Sequence, residues 1–319
     1  MDIAVIAGII MIISVVVMLV MGVPIGISIG MSSALAMITI LPFGPGIVTC
    51  AQKMFTGVNS FSLLAIPFFI LAGNIMNNGG IAIRLVNCAR LISGRLPGSL
   101  AQTNIVANML FGAISGSGTA AAAAIGGTMA PIELEEGYDK DYVAAVNIAS
   151  APTGQLIPPS NTLIVYATVA GSVSVAALFM AGYIPGIAWG ISLMFIAGYM
   201  AKKRGYVSTF SVTPKEAIKV LWDALPSLLL IIIVIGGILK GVFTATEGSA
   251  IAVVYALILS LCYRSLKIKD LPSIILSSCK TTCIVIFMIG VSSIMSWVMA
   301  YTMIPTAIAN AMLSLSSNK

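Results

Sequence analysis

The sequence predicts an all-α, polytopic membrane protein built as an inverted repeat, on three observations. Of its 319 residues, 59% are hydrophobic and only 8% charged, where a soluble domain carries roughly 25% charge. A polar, glycine-laden stretch, residues 112–119, interrupts two apolar arms at what should be membrane depth. The order of apolar runs then restarts after residue 220, with the basic and neutral loops exchanged.

A spanning helix needs about 20 apolar residues. Residues 3–40 hold two such spans around a turn at Gly22-Val-Pro-Ile-Gly26, and residues 59–77 hold a third. A basic loop with Arg84, Arg90 and Arg95 follows. Residues 99–131 then rise to the polar tip and fall away in arms too short to cross, the pattern of a re-entrant helical hairpin. Residues 142–168 form a span broken at Gly154-Gln-Leu-Ile-Pro-Pro-Ser-Asn161, and residues 174–200 cross once more to meet Lys202, Lys203 and Arg204. The mildly amphipathic stretch 205–220, with Lys215, Glu216 and Lys219, is expected at the membrane interface. The first span has no basic start and no credible cleavage site, so it reads as retained rather than as a signal peptide.

Residues 221–260 repeat the long apolar pair of 3–40 around a turn at residues 241–248, and 281–300 match 59–77, at an offset of about 220 positions. Five crossings plus a returning hairpin make an odd number, so a second copy inserts upside down. The charges agree. Loop 78–98 carries three Arg and its counterpart 301–318 no Lys or Arg, while loop 41–58 carries only Lys53 and its counterpart 261–280 carries Arg264, Lys267, Lys269 and Lys280. Basic loops are the cytoplasmic ones, so the members of each pair lie on opposite faces. The expected organisation is a first repeat over 1–204 (hairpin 99–131, broken helix 142–168), a connector over 205–220, and a partial second repeat over 221–319. The same offset puts a second hairpin past Lys319, so the second repeat is expected to be incomplete and the protein truncated at its C-terminal end.

Two elements could hold a solute. At the tip, Ser115, Gly116, Ser117, Gly118 and Thr119 offer carbonyls and hydroxyls with little steric bulk. Loosened backbone survives at membrane depth only where protein or a water-filled cavity covers it, and transporters hold solutes near the midplane at such places. Hard oxygens without a carboxylate suit Na⁺ better than Ca²⁺ or a transition metal. Close packing of helices through small residues is the other reading of the tip, and the role assigned to Ala120 to Ala124. At the break, Pro158 and Pro159 remove two backbone donors and release carbonyls beside Gln155, Ser160 and Asn161. A local unwinding and a simple proline kink both fit that element.

Other chemistry is poorly represented. There is no His, which excludes a His-based metal centre or proton relay, and Cys50, Cys88, Cys262, Cys279 and Cys283 show no metal-motif spacing. Neither a nucleophile–base constellation nor an intramembrane carboxylate pair is present, so neither an enzyme nor a catalytic residue is expected. The net charge of +6 lies in loops and reads as topology, not as nucleic-acid binding. Glu133, Glu135, Glu136, Asp139 and Asp141 are expected in a solvated loop, and Glu247 as a helix N-terminal cap rather than an ion ligand.

Taken together, Gly22-Val-Pro-Ile-Gly26, the Ser62-Leu-Leu-Ala-Ile-Pro run ending at Gly73, Ser115-Gly-Ser-Gly118, Gly137-Tyr138, Ile157-Pro-Pro-Ser160, Met180-Ala-Gly182 with Pro185-Gly186, and Gly241-Val-Phe-Thr-Ala-Thr-Glu247 resemble the large membrane subunit of tripartite ATP-independent periplasmic (TRAP) transporters, the DctM-like family. The resemblance implies an elevator-type secondary transporter of the bacterial inner membrane. It would take up an organic acid, of C4-dicarboxylate or sugar-acid type, driven by Na⁺ as coupling ion and without other cofactor. A small membrane subunit and a periplasmic substrate-binding protein are the implied partners. Carried over by position, Ser115, Gly116, Ser117, Gly118, Pro158 and Ser160 would hold Na⁺, and Thr119, Gln155, Pro159 and Asn161 would edge the substrate cavity. Two departures stand out: Ala121, where many members have a polar residue, and Asn161, where an aliphatic one is common. Members run further than this sequence and carry a second hairpin and a second Pro-Pro break, so no independent transport is expected of it. A different Na⁺-coupled carboxylate or anion transporter with the same hairpin plan, or a non-transporting membrane scaffold, are the alternative readings.

Overall fold

The computed structural model describes residues 3–171, 173–206 and 212–315. Its described residues form α-helices, short 3₁₀ turns and connections, and no strand. They divide into two compact units, residues 1–60 with 280–319, and residues 61–279.

The first unit contains α1 (Ile3–Val20), α2 (Ile25–Ile40), α3 (Phe43–Val58), most of α14 (Leu271–Tyr301) and α15 (Ile304–Leu315). Gly22, at φ +77°, ends the first helix, with Gly22 N–H donating to Leu19 O and Val23 N–H to Met18 O. This is the six-to-one, five-to-two closure that favours glycine at a helix C-terminus. The core is Ala7, Met11, Ala36, Met37, Ile294 and Val298. Glycines let these helices approach closely: a Cβ on Gly30 would lie 3.0 Å from Val291, and one on Gly8 3.2 Å from Ile304.

The second unit runs through α4 (Ala65–Asn78), α5 (Ile81–Ser93), α6 (Ser99–Ser115), α7 (Gly118–Glu135), α8 (Lys140–Ser150), α9 (Thr153–Leu156), α10 (Asn161–Ala170), α11 (Val175–Arg204), α12 (Pro214–Leu239) and α13 (Ala245–Cys262). Its centre is α6, buried over almost its entire length and enclosed by α4, α5, α7, α8, α9 and α11. The predicted hairpin is α6 and α7, and the predicted broken helix is the succession of α8, α9 and α10. Helices over 61–78, 175–204, 214–239, 245–262 and 268–301 are long and apolar enough to cross a membrane, and α1 and α2 are shorter apolar helices. The fold is an all-α polytopic membrane protein.

Four stretches expected as loops are helical in whole or part: α3, α5, α15 and residues 271–280, the start of α14. In α5 the reason is periodic. Ile81, Ala82, Leu85, Val86 and Ala89 are buried, the spacing of one helix face, while Arg84 and Arg90 are half-buried beside it. Basic residues had marked the segment as a loop, but charge reports topology, not conformation. Part of the expected connector, residues 207–211, lies outside the described residues. Residues 214–220 are the first turns of α12, which opens on a reciprocal cap between Thr213 and Glu216.

The turn after α12 repeats the one after α1: Gly241, at φ +70°, donates to Ile238 O and Val242 to Gly237 O. Likewise α5 and α15 are each preceded by a left-handed residue, Gly80 at φ +73° and Met303 at φ +54°.

Candidate ion and solute site

The tip of the hairpin is built by two helix ends that meet. The first arm, α6, stops at Ser115 because Gly116 turns left-handed (φ +63°, ψ +15°), its N–H still donating to Gly112 O over 2.9 Å. Ser117 then returns to extended geometry and caps α7, its Oγ accepting from Ala120 N–H over 3.3 Å. The break repeats the device. The last backbone bond of α9 runs from Ile157 N–H to Thr153 O, Ile157 is extended, and Ser160 caps α10 by accepting from Leu163 N–H over 3.3 Å. Ser160 Oγ also donates to Gln155 O, and the Pro158–Pro159 peptide is cis. Both elements are therefore true interruptions of the backbone ladder, and the second is an unwinding, not a kink.

These two interruptions touch. Asn161 N–H donates to Gly116 O over 3.0 Å. A Cβ on Gly116 would sit 2.8 Å from Pro159 O and 3.3 Å from Asn161 N, and one on Gly118 2.9 Å from Ala151 O. One turn below, a Cβ on Gly112 would collide with Gly154 Cα, so α6 and α9 cross backbone to backbone. Gly73 of α4 closes the other side, its Cβ position 3.0 Å from Ser115 Cβ. The junction brings together the C-terminal ends of α6 and α9 with the N-terminal ends of α7 and α10. Helix N-termini favour anions and C-termini cations, and this pairing of half-helices is how membrane transporters seat charged solutes.

Burial sorts the expected residues. Ser115, Gly116, Gly118, Pro158, Pro159 and Ser160 are buried and Ser117 half-buried, whereas Thr119 and Gln155 are exposed and Asn161 is half-buried. The residues expected to hold an ion thus lie inside except for the half-buried Ser117, and of those expected to edge the substrate cavity Thr119 and Gln155 are exposed. Asn161 Oδ1 is buried without a hydrogen-bond partner. Ala121 is fully buried and packs toward Gly154.

Glu247 is the expected cap, its carboxylate accepting from Thr244 N–H at 2.7 Å while Glu247 N–H donates to Thr244 Oγ1 at 3.2 Å. It lines a cavity of about 460 Å³ with Phe61, Ser62, Ser174, Phe243 and Thr246.

Glu133 departs from the expectation of a solvated loop. Glu135, Glu136, Asp139 and Asp141 are exposed, but Glu133 is fully buried, with both carboxylate oxygens 3.4 Å from Asn104 Nδ2. A polar network extends inward from there: Asn108 Nδ2 donates to Asn104 Oδ1 at 2.8 Å and to Ser150 Oγ at 2.9 Å, with Asn147 Oδ1 at 3.2 Å. These side chains join both hairpin arms to the broken helix beneath the tip. The signal was present in the sequence, because Ala121, Ile125, Met129 and Glu133 follow one another at four-residue spacing and all are buried. In the connection after α7, the Tyr206 hydroxyl and the Arg204 guanidinium hold the exposed Asp139 carboxyl below the usual carboxylate range.

The described residues contain no group of three or more His, Cys, Asp or Glu able to hold a metal.

Residues 12–319 match the family model described as the tripartite ATP-independent periplasmic transporter, DctM component. An uncharacterized protein of Salmonella typhimurium, YgiK, is 51% identical over 289 residues, 91% of this chain and 66% of that protein. The sialic acid TRAP transporter large permease protein SiaM of Vibrio cholerae is 37% identical, covering 89% of this chain and 66% of its own length. The C4-dicarboxylate TRAP transporter large permease protein DctM of Rhodobacter capsulatus is 36% identical, over 84% of this chain and 64% of its own length. The chain spans just under two thirds of the length of these relatives.

Proposed function

This chain belongs to the DctM component family of tripartite ATP-independent periplasmic transporters, and from that premise we propose that it serves Na⁺-coupled uptake of an organic acid. The family is one of transporter permeases, and the chain is a multi-pass protein of the bacterial inner membrane. In the proposed mechanism Na⁺ is held by carbonyl and hydroxyl oxygens of Ser115, Gly116, Ser117, Gly118, Pro158 and Ser160. The substrate carboxylate lies against the outward side of the same junction, near Thr119, Gln155, Pro159 and Asn161. The relatives' substrates, sialic acid and C4-dicarboxylates, are carboxylates of the kind that the N-termini of α7 and α10 favour. The proposed partners are a small membrane subunit and a periplasmic substrate-binding protein.

The observation that carries this reading is the bond from Asn161 N–H to Gly116 O. It joins the tip and the break within a single compact unit, as an elevator that moves hairpin and broken helix together requires. The matching turns at Gly22 and Gly241 and the left-handed residues before α5 and α15 support an inverted pair of repeats, 1–204 and 221–319 about a connector over 205–220.

The test is thermal unfolding of the purified chain in detergent. NaCl is expected to raise the midpoint, KCl at equal ionic strength to leave it unchanged, and Ser160→Ala to abolish the Na⁺ response. Equal responses to Na⁺ and K⁺ would sink Na⁺ coupling. Organic acids added with Na⁺ are expected to raise the midpoint further; a neutral sugar that does so where no acid does would sink the substrate class.

A further inference from the structure

Where α11 ends, two cavities of opposite chemistry meet at one side chain. The first is an apolar groove of about 220 Å³ between α8 and α11, lined chiefly by Ala145, Val146, Ala149, Leu193, Ile196 and Ala197, with Arg204 and Asp141 at its end. At 1.5 Å per helical residue it follows about 12 Å of α8 and about 16 Å of α11. The second is a polar pocket of about 330 Å³ in which Arg90 and Arg204 face Ser99, Tyr138, Tyr206 and Glu136. Arg204 belongs to both. Its guanidinium pairs with Asp139, sits 5.4 Å from the centre of the Tyr142 ring, and leaves 37% of the side chain exposed.

Charge decides what suits such a place. Arg90 in the last turn of α5, Arg95 just before α6, Lys140 at the start of α8 and Lys202, Lys203 and Arg204 in the last turn of α11 belong to helix ends that border the pocket, and they outnumber Glu133, Glu135, Glu136, Asp139 and Asp141. An excess of basic residues marks a cytoplasmic membrane surface, and basic pockets between helices on that side receive anionic lipid headgroups. A free anion has no use for an apolar groove, and a zwitterionic lipid, whose ammonium offsets its phosphate, gains less from two guanidinium groups than an anionic one does. We propose that the paired cavities bind an anionic phospholipid, with one acyl tail along α8 and α11 and the phosphodiester between Arg90 and Arg204. The site shares no residue with the tip and break, so it stands independently of the transport reading.

The experiment measures lipid binding to the purified 319-residue protein by native mass spectrometry, with midpoint shifts in detergent as a second readout. Phosphatidylglycerol is expected to bind and raise the midpoint, while phosphatidylcholine and inorganic phosphate are not. Arg90→Gln removes one basic contact and is expected to lower phosphatidylglycerol affinity about fivefold, the equivalent of about 1 kcal/mol per basic residue. Ala145→Phe, at an exposed position on α8, fills the groove without touching a charge and is expected to weaken the lipid at least as much. Each variant is compared with its own lipid-free midpoint, and either variant suffices if the other does not fold. The proposal is overturned if phosphatidylcholine binds as tightly, if inorganic phosphate alone reproduces the shift, or if the folded variants bind like the parent.

Discussion

Replacing Gly116 by Ala tests whether the tip and the break really meet. Two separate penalties apply. An L-residue at φ +63° costs roughly 1–2 kcal/mol. The new Cβ also lies 2.8 Å from Pro159 O and 3.3 Å from Asn161 N, both backbone atoms that cannot rotate away, and overpacking of this kind costs about 1–3 kcal/mol. Gly116→Ala should therefore lose about 2–5 kcal/mol. Three other glycines isolate the terms. Gly137 has φ +84° and no atom within 4 Å of its Cβ position, so Gly137→Ala carries strain alone, about 1–2 kcal/mol. Gly112→Ala carries the collision with Gly154, about 1–3 kcal/mol, less the roughly 0.8–1 kcal/mol that Ala gains inside a helix. Gly127, helical and open, should gain roughly 0.8–1 kcal/mol as Ala. The assay is unfolding free energy in mixed micelles, with and without Na⁺. The reasoning is refuted if Gly116→Ala costs no more than Gly137→Ala, because the close approach to Pro159 would then be absent. It is equally refuted if Gly116→Ala keeps the Na⁺ response in full.

The buried polar network gives a second expectation. Asn104→Leu leaves the Glu133 carboxylate without its amide donor and should cost at least about 1–3 kcal/mol, whereas the double variant Asn104→Leu/Glu133→Leu should recover much of that loss in the same unfolding measurement. Additive losses would show that the two side chains do not interact. Thr244→Ala removes the reciprocal cap on α13 and should cost about 1 kcal/mol; an unchanged unfolding midpoint would deny the cap its role. Asp139, whose carboxyl is depressed by Tyr206 and then Arg204, adds stability that is present above its unfolded value of about 3.9 and is lost as pH falls through the lower folded value. Tyr206→Phe should therefore lower the unfolding midpoint at pH 7, and the gap should narrow as pH falls through the folded value of Asp139, leaving the part owed to the bond from Asp139 N–H to the Tyr206 hydroxyl. A gap of the same size in acid would rule out the ionised carboxylate as its source.

Much of the fold and part of the site are legible in the sequence. Composition and apolar runs specify the spans, because hydrocarbon admits few other ways to satisfy a backbone. The hairpin tip and the Pro158-Pro159 break were legible because glycine and proline act within a residue or two of their own position. Glu247 was legible for the same reason, a cap being closed over three residues. The segments missed are α3, α5, α15 and the start of α14, where charge marks basic loops or their neutral counterparts and hides the apolar period. Glu133 was misplaced because its acidic neighbours Glu135 and Glu136 outweighed the four-residue stripe of Ala121, Ile125 and Met129 that carries it inward.

By itself, then, the sequence determined where the protein is helical at membrane depth and where it must stop being so, since both follow from local chemistry. Only the tertiary structure decided that the two stopping places coincide. Asn161 lies 45 residues from Gly116, and the bond between them exists because Gly112 and Gly154 let α6 and α9 cross without side chains between them. The same holds for Glu133, whose burial depends on Asn104 of the opposite hairpin arm, and for Arg204, which borders two cavities at once. Contacts between distant segments are set by how whole helices pack, and no residue's own neighbours in sequence encode them.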